Sequence, residues 1–174
     1  MVILFILLLV SDAYHFLVVI SDMGWSADDC LPSTNVASGK PSSSSSVNEG
    51  STASNAFDGN MSSRWESAHG IDTVYLQVDL EQVYNIEKVS VAWEFACAKI
   101  YDIQVSNDGL SFNTVWSKTN GFGGMGTIES VLSGASGRFV RMQAHERATA
   151  WGYSVFEMEV YGSSSDIEIE GQPI

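Results

Sequence analysis

Hydrophobic and polar residues alternate along much of this chain with a period of two. From Thr73 to Leu80, Leu76, Val78 and Leu80 fall on one face and Tyr75, Gln77 and Asp79 on the other, the pattern of a strand with one face buried. Asn85 to Trp93 repeats it through Val89, Val91 and Trp93, and Ile100 to Ser106 through Tyr101, Ile103 and Val105. Asn107-Asp108-Gly109, a hairpin-turn signal, returns the chain into Phe112 to Trp116. Thr127 to Leu132, Arg138 to Ala144 and Val155 to Tyr161 add three strands, separated by glycine-rich turns at 121–126 and 134–137. No segment carries the 3.6 period of an amphipathic helix. Seven short strands at this spacing predict an all-β chain, a β-sandwich or jelly roll with its ligand-binding loops gathered at one end.

The first ten residues, MVILFILLLV, are apolar without a break, and Ser11, Asp12 and Ala13 follow as a cleavage site would, which reads as a secretory signal. No basic residue precedes the run and a second apolar patch spans Phe16 to Ile20, so an N-terminal anchor of about 20 residues is the competing reading. Residues 1–33 are assigned as signal or anchor plus linker and 34–162 as one folded domain. Residues 163–174 carry Asp166, Glu168 and Glu170 without an apolar face and are assigned as a disordered acidic tail. Cys30 lies in the leader and Cys97 among the strands; pairing them requires the leader to fold back, and two separate thiols are the simpler reading. Asn60-Met61-Ser62 is a formal glycosylation sequon.

Charge narrows the partners. A formal charge of −13 repels phosphate backbones and excludes nucleic acid as a partner. It also argues against anionic membrane lipid, which attracts clustered Lys and Arg, and favours neutral polysaccharides, amino sugars and divalent cations.

Five fragments then occur in order: Asn35-Val36-Ala37-Ser38-Gly39-Lys40-Pro41; Ala56-Phe57-Asp58-Gly59-Asn60 with Arg64-Trp65; Gln104-Val105-Ser106-Asn107-Asp108-Gly109; Gly137-Arg138-Phe139-Val140-Arg141; and Trp151-Gly152-Tyr153-Ser154 leading into Glu157-Met158-Glu159-Val160-Tyr161-Gly162. Together they resemble the discoidin-like, coagulation factor type C domains, and most closely the family 32 carbohydrate-binding modules, from Asn35 to Gly162. The resemblance implies a jelly-roll, galactose-binding-domain-like sandwich whose two ends meet.

Asp58-Gly59-Asn60-Met61-Ser62-Ser63 places a carboxylate, a turn glycine and several oxygens within six residues, which suits a hard cation and equally suits an ordinary Asp-Gly turn. The resemblance implies a structural Ca2+ held by Asp58, by the Asn55 and Asn60 carbonyls, by Ser63, and by the Phe156 carbonyl and Glu157 carboxylate from the last strand. A glutamate buried on a strand without a partner would be costly, which agrees.

Trp151 precedes the final strand beside Glu146 and Arg147. An exposed aromatic face stacks on the C–H groups of a sugar ring while planar polar groups bind its hydroxyls. A glycine-flanked tryptophan read alone is more often core; the resemblance assigns Trp151 as the stacking platform. It also places Glu94 and His69 among the binding residues, with Tyr153 and Arg147 either touching ligand or supporting the loop, and Glu49 as a further candidate. A glutamate there suits the ammonium of an amino sugar such as chitosan's. Galactose and β-glucan readers share the same frame.

The expected function is non-catalytic, lectin-like binding of a polysaccharide or glycan by a secreted module. A cell-adhesion domain binding protein or lipid through its loops is the first alternative, and an accessory module of a glycoside hydrolase the second. No opposed carboxylate pair, Ser/His/Asp order, zinc-ligand spacing or phosphate loop points to catalysis by this chain.

Overall fold

The computed structural model describes residues 34–119 and 125–164. The leader with Cys30, most of the glycine-rich turn at 121–126 and the tail from 165 onward lie outside the described residues. The strands are β1 (Ser42–Ser44), β2 (Trp65–Glu66), β3 (Val74–Trp93), β4 (Ala98–Ser106), β5 (Asn113–Lys118), β6 (Gly126–Arg147) and β7 (Ser154–Ser164), with one 3-10 turn at Ala53–Ala56. The last strand runs two residues past the predicted domain end, pairing Ser163 with Asn85 and Ser164 with Tyr84.

Alternation correctly located every long strand but divided two of them. The predicted strands 73–80 and 85–93 are one strand, β3, and 127–132 and 138–144 are one strand, β6. Each turns a corner. In β3 the pairing register slips between Asp79 and Tyr84, and Glu81 takes a φ of 69°, a left-handed conformation unusual for a residue with a side chain. It is held there from two sides: its N–H donates to Asp79 Oδ1 at 2.8 Å, and its carboxylate accepts from Lys40 Nζ.

The corners let β3 and β6 serve two layers. The first half of β3 lies between β1 and the second half of β6, which continues to β4 and the edge strand β5. The second half of β3 lies between the first half of β6 and β7, with β2 on the far side of β7. All pairs are antiparallel. Leu76, Val78, Leu80, Ile103, Val140 and Met142 from the first layer share one buried cluster with Val89, Val91, Trp93, Val155, Met158 and Val160 from the second. Trp93 meets Tyr101 edge-on at 5.4 Å across it. Each large side chain buried this way contributes roughly 1.5–3 kcal/mol. The domain's ends meet as expected: the Asn35 carboxamide oxygen accepts from the N–H of Val160, and Val36 N–H donates to the Val160 carbonyl.

On the solvent side of the larger layer, Arg138 binds Asp79 through two bonds of 2.7 Å. Arg141 donates to Gln77 and lies over the rings of Tyr75 and Phe112. The register places the loop before β3, the β3–β4 turn and the β6–β7 loop side by side: Val74 is opposite Ala144, Ala98 opposite Arg147, and Trp93 opposite Val155.

Candidate functional site

The β6–β7 loop, 148–153, is fastened to the β3–β4 turn at both ends. Ala148 N–H donates to the Cys97 carbonyl at 3.0 Å; at the other end Ser154 N–H donates to Ala96 O at 2.7 Å and Glu94 N–H to Ser154 O at 3.0 Å. The loop's other flank rests on 67–73: Ser67 N–H donates to Tyr153 O, and Tyr153 N–H to Ser67 Oγ at 2.8 Å. Gly152 is required by this approach, since a Cβ there would lie 2.5 Å from Ser67 Oγ and 2.6 Å from the Ser67 carbonyl oxygen.

Trp151 stands out of this frame with 57% of its surface exposed. His69 packs against it, ring centroids 5.2 Å apart and planes at 74°, and His69 Nε2 lies 3.9 Å from Glu66 Oε1. Glu94 is half-buried and accepts the Ala96 N–H through one carboxylate oxygen at 2.9 Å, leaving the other for a further donor. Arg147 braces the loop: Nη1 donates to the carbonyls of Ala150 (3.1 Å) and Trp151 (2.9 Å), while Nε donates to Asp72 Oδ1 at 2.8 Å. That contact holds the Asp72 carboxyl below the usual range.

Tyr153, read from sequence as either a contact or a support, lies beneath the surface of the loop. Its ring is fully buried near Trp93, its hydroxyl donates to the Asp72 carbonyl at 2.5 Å, and burial pushes its phenol well above the ordinary value. Glu49 is exposed on the 45–52 loop, next to Asn48, whose N–H donates to the Glu66 carbonyl. Two residues at this end were not among the binding candidates read from the sequence. Glu66, half-buried on β2, lies between Arg64 and His69. Phe95, at the tip of the β3–β4 turn, is 60% exposed. The break in alternation at Trp93-Glu94-Phe95-Ala96 was the signal available for it.

A second cluster joins the 58–63 loop to β7. Phe156 is the extra residue of a bulge, with Ala92 opposite Glu157 and Trp93 opposite Val155, so Phe156 has no partner on β3. The bulge leaves Met158 in the core and directs Glu157, 5% exposed, toward the loop. The Asn60 N–H is shared between Asp58 Oδ1 (2.8 Å) and Glu157 Oε1 (2.9 Å), while Glu157 Oε2 is buried with no hydrogen-bond donor. Burial, and then the hydrogen bond to and charge of Asp58, push the Glu157 carboxyl up from 4.5 to about 7. Asp58 stays below its usual value although partial burial opposes this, because Ser63 Oγ and the Asn60 N–H donate to it. Ser63 Oγ also bonds the Asn60 carbonyl at 2.9 Å, and Asn55 donates to the Arg64 carbonyl. Two carboxylates converging on one amide, one of them with an unsatisfied buried oxygen, and an all-oxygen donor set fit a calcium ion.

The F5/8 type C domain model matches residues 40–158. Among solved structures, the chain is similar to chitosan-binding module 1 of a chitosanase/glucanase from Paenibacillus sp. IK-5, with 38% identity and a TM-score of 0.70, covering 74% of this chain and 99% of that one. It is also similar to module 2 of the same enzyme, solved with chitotriose, at 39% identity and a TM-score of 0.69, covering 74% of this chain and 100% of that one. Among curated proteins it is 33% identical over 112 residues to the polysaccharide lyase 8 family protein HylA of Enterococcus faecalis, 61% of this chain. The chain spans only 8% of that relative's length.

Proposed function

The chain belongs to the F5/8 type C domain family, and from that premise we propose that it is a carbohydrate-binding module for amino-sugar polysaccharide of the chitosan type. The observation that carries this reading is the loop cluster at one end of the sandwich. An exposed tryptophan stands there against His69, which lies 3.9 Å from Glu66, on a loop bonded to the turn that bears Glu94, in a protein of charge −13. The 38–39% identity to whole modules named as chitosan-binding supports the same ligand class.

In this reading the sugar ring stacks its C–H face on Trp151, and His69 buttresses the indole from one side. The free oxygen of Glu94 accepts from the substrate ammonium, and Glu66 adds negative potential at the same end. Arg147 and Tyr153 act through the loop: they hold the Trp151 backbone and the Asp72 carbonyl so that the indole is presented in one position before ligand arrives. Binding needs no bond-making step, so the module serves by attaching a partner or the chain's own carrier to polysaccharide. An extracellular location, the one read for the apolar N-terminal run, is consistent with a polysaccharide ligand.

Asp58, Glu157, Ser63 and the carbonyls of Asn55, Asn60 and Phe156 would hold the calcium ion. The ion would supply positive charge where Glu157 has no donor, and would join β7 to the 58–63 loop.

The test is calorimetric titration of the 34–164 fragment with glucosamine oligomers, laminarin and galactosides, for wild type and Trp151→Ala. Binding of glucosamine trimer that Trp151→Ala abolishes, at unchanged Tm, is expected. Exclusive binding of laminarin or galactosides would move the ligand class, and glucosamine binding unaffected by Trp151→Ala would refute the site.

A further inference from the structure

Phe95 is unexplained by packing. Six-tenths of its surface faces water at the tip of the β3–β4 turn, although its neighbours Ala96 and Cys97 are buried and Trp93 is a core residue. A single exposed apolar residue needs no explanation of its own; what distinguishes Phe95 is that it shares this end of the domain with a second exposed ring, Trp151. Its position is tied to the glycan site. The turn that bears it is bonded on one side to Ala148 and on the other to Ser154, the two ends of the loop that bears Trp151. Glu94, with one carboxylate oxygen held by Ala96 N–H, immediately precedes it. Two large exposed aromatic side chains among the described residues of this end, Trp151 and Phe95, therefore rise from loops stapled together by three backbone hydrogen bonds, with Glu94 immediately before Phe95.

We propose that Phe95 is a second stacking platform, so that the site reads at least two sugar units: one seated on Trp151, its neighbour on Phe95, with the Glu94 carboxylate receiving an ammonium from the pair. The ligand class is then an oligomer with free amines rather than a terminal monosaccharide, and affinity rises with chain length because the second ring is engaged only by a second sugar. This inference rests on the glycan-binding reading above and adds a subsite to it.

The experiment compares glucosamine monomer and trimer, by NMR titration, against wild type, Phe95→Ala, Phe95→Trp and Trp151→Ala, with Tm recorded for each. An aromatic contact of this kind corresponds to about a three- to tenfold change in Kd. Phe95→Ala is expected to shrink the trimer-to-monomer affinity ratio by that factor, Phe95→Trp to preserve the ratio, and Trp151→Ala to weaken both ligands. A ratio unchanged in Phe95→Ala while Trp151→Ala still loses binding overturns the second platform and leaves the glycan reading intact. Wild-type protein that binds neither ligand overturns both.

Discussion

Glu157→Gln separates the electrostatic cost of the buried carboxylate from its proposed role as a calcium ligand. In calcium-free protein, Glu157 Oε2 has no donor and Oε1 shares the Asn60 N–H with Asp58, so the ionised form is the costly one and its folded pKa rises from 4.5 to about 7. The sign follows: below about pH 4.5 the group is protonated folded and unfolded alike and costs nothing. As pH rises toward about 7 the unfolded chain ionises while the folded one resists, and stability falls. A shift of that size corresponds to roughly 3 kcal/mol across the window. Urea unfolding in chelator between pH 4.5 and 8 should therefore show wild type losing about that much, and Glu157→Gln, which cannot ionise, losing much less. At pH 8 in chelator the variant should be the more stable protein. With calcium the order should reverse, because the ion neutralises the carboxylate and the amide offers it one weak oxygen in place of a charge. Equal pH slopes for the two proteins in chelator would refute the electrostatic argument, and calcium that stabilises neither would refute the ion site.

Gly152→Ala forces a Cβ to 2.5–2.8 Å from Ser67 Oγ and the Ser67 and Ala68 carbonyl oxygens, and should cost about 1–3 kcal/mol in urea unfolding while displacing the Trp151 loop and weakening glycan binding. Arg147→Ala removes donors to the Ala150 and Trp151 carbonyls; stability should fall by about 1 kcal/mol and glycan affinity by several-fold, with Trp151 fluorescence more accessible to quencher. Trp65→Ala empties a fully buried site whose indole N–H donates to the Ser46 carbonyl, and thermal or urea unfolding should register about 3–5 kcal/mol.

Alternating residues made the strands legible because a half-buried strand must place Leu76, Val78 and Leu80 on one side whatever surrounds it. Composition and charge narrowed the partners for the same reason: neither depends on how the chain is folded. The residue types that a glycan platform and a hard cation would need can also be read along the chain, an exposed aromatic for the one and oxygens for the other, and Trp151, Glu94, Asp58 and Glu157 were picked out in that way together with the family resemblance. Three things were decided only by tertiary structure. Two pairs of predicted strands became single strands that bend between the layers, β3 through Glu81, whose carboxylate accepts from Lys40, forty-one residues away. Tyr153 and Trp151, two residues apart, went to opposite fates because Ser67 and Asp72 from another loop capture the backbone and hydroxyl of the tyrosine and leave the indole in water. Phe95 became a candidate contact because the bonds from Ala148 and Ser154 bring its turn beside the Trp151 loop. Periodicity reports which side of its own strand a residue faces; which loop it meets depends on contacts between residues far apart in sequence, and those exist only in the folded sandwich.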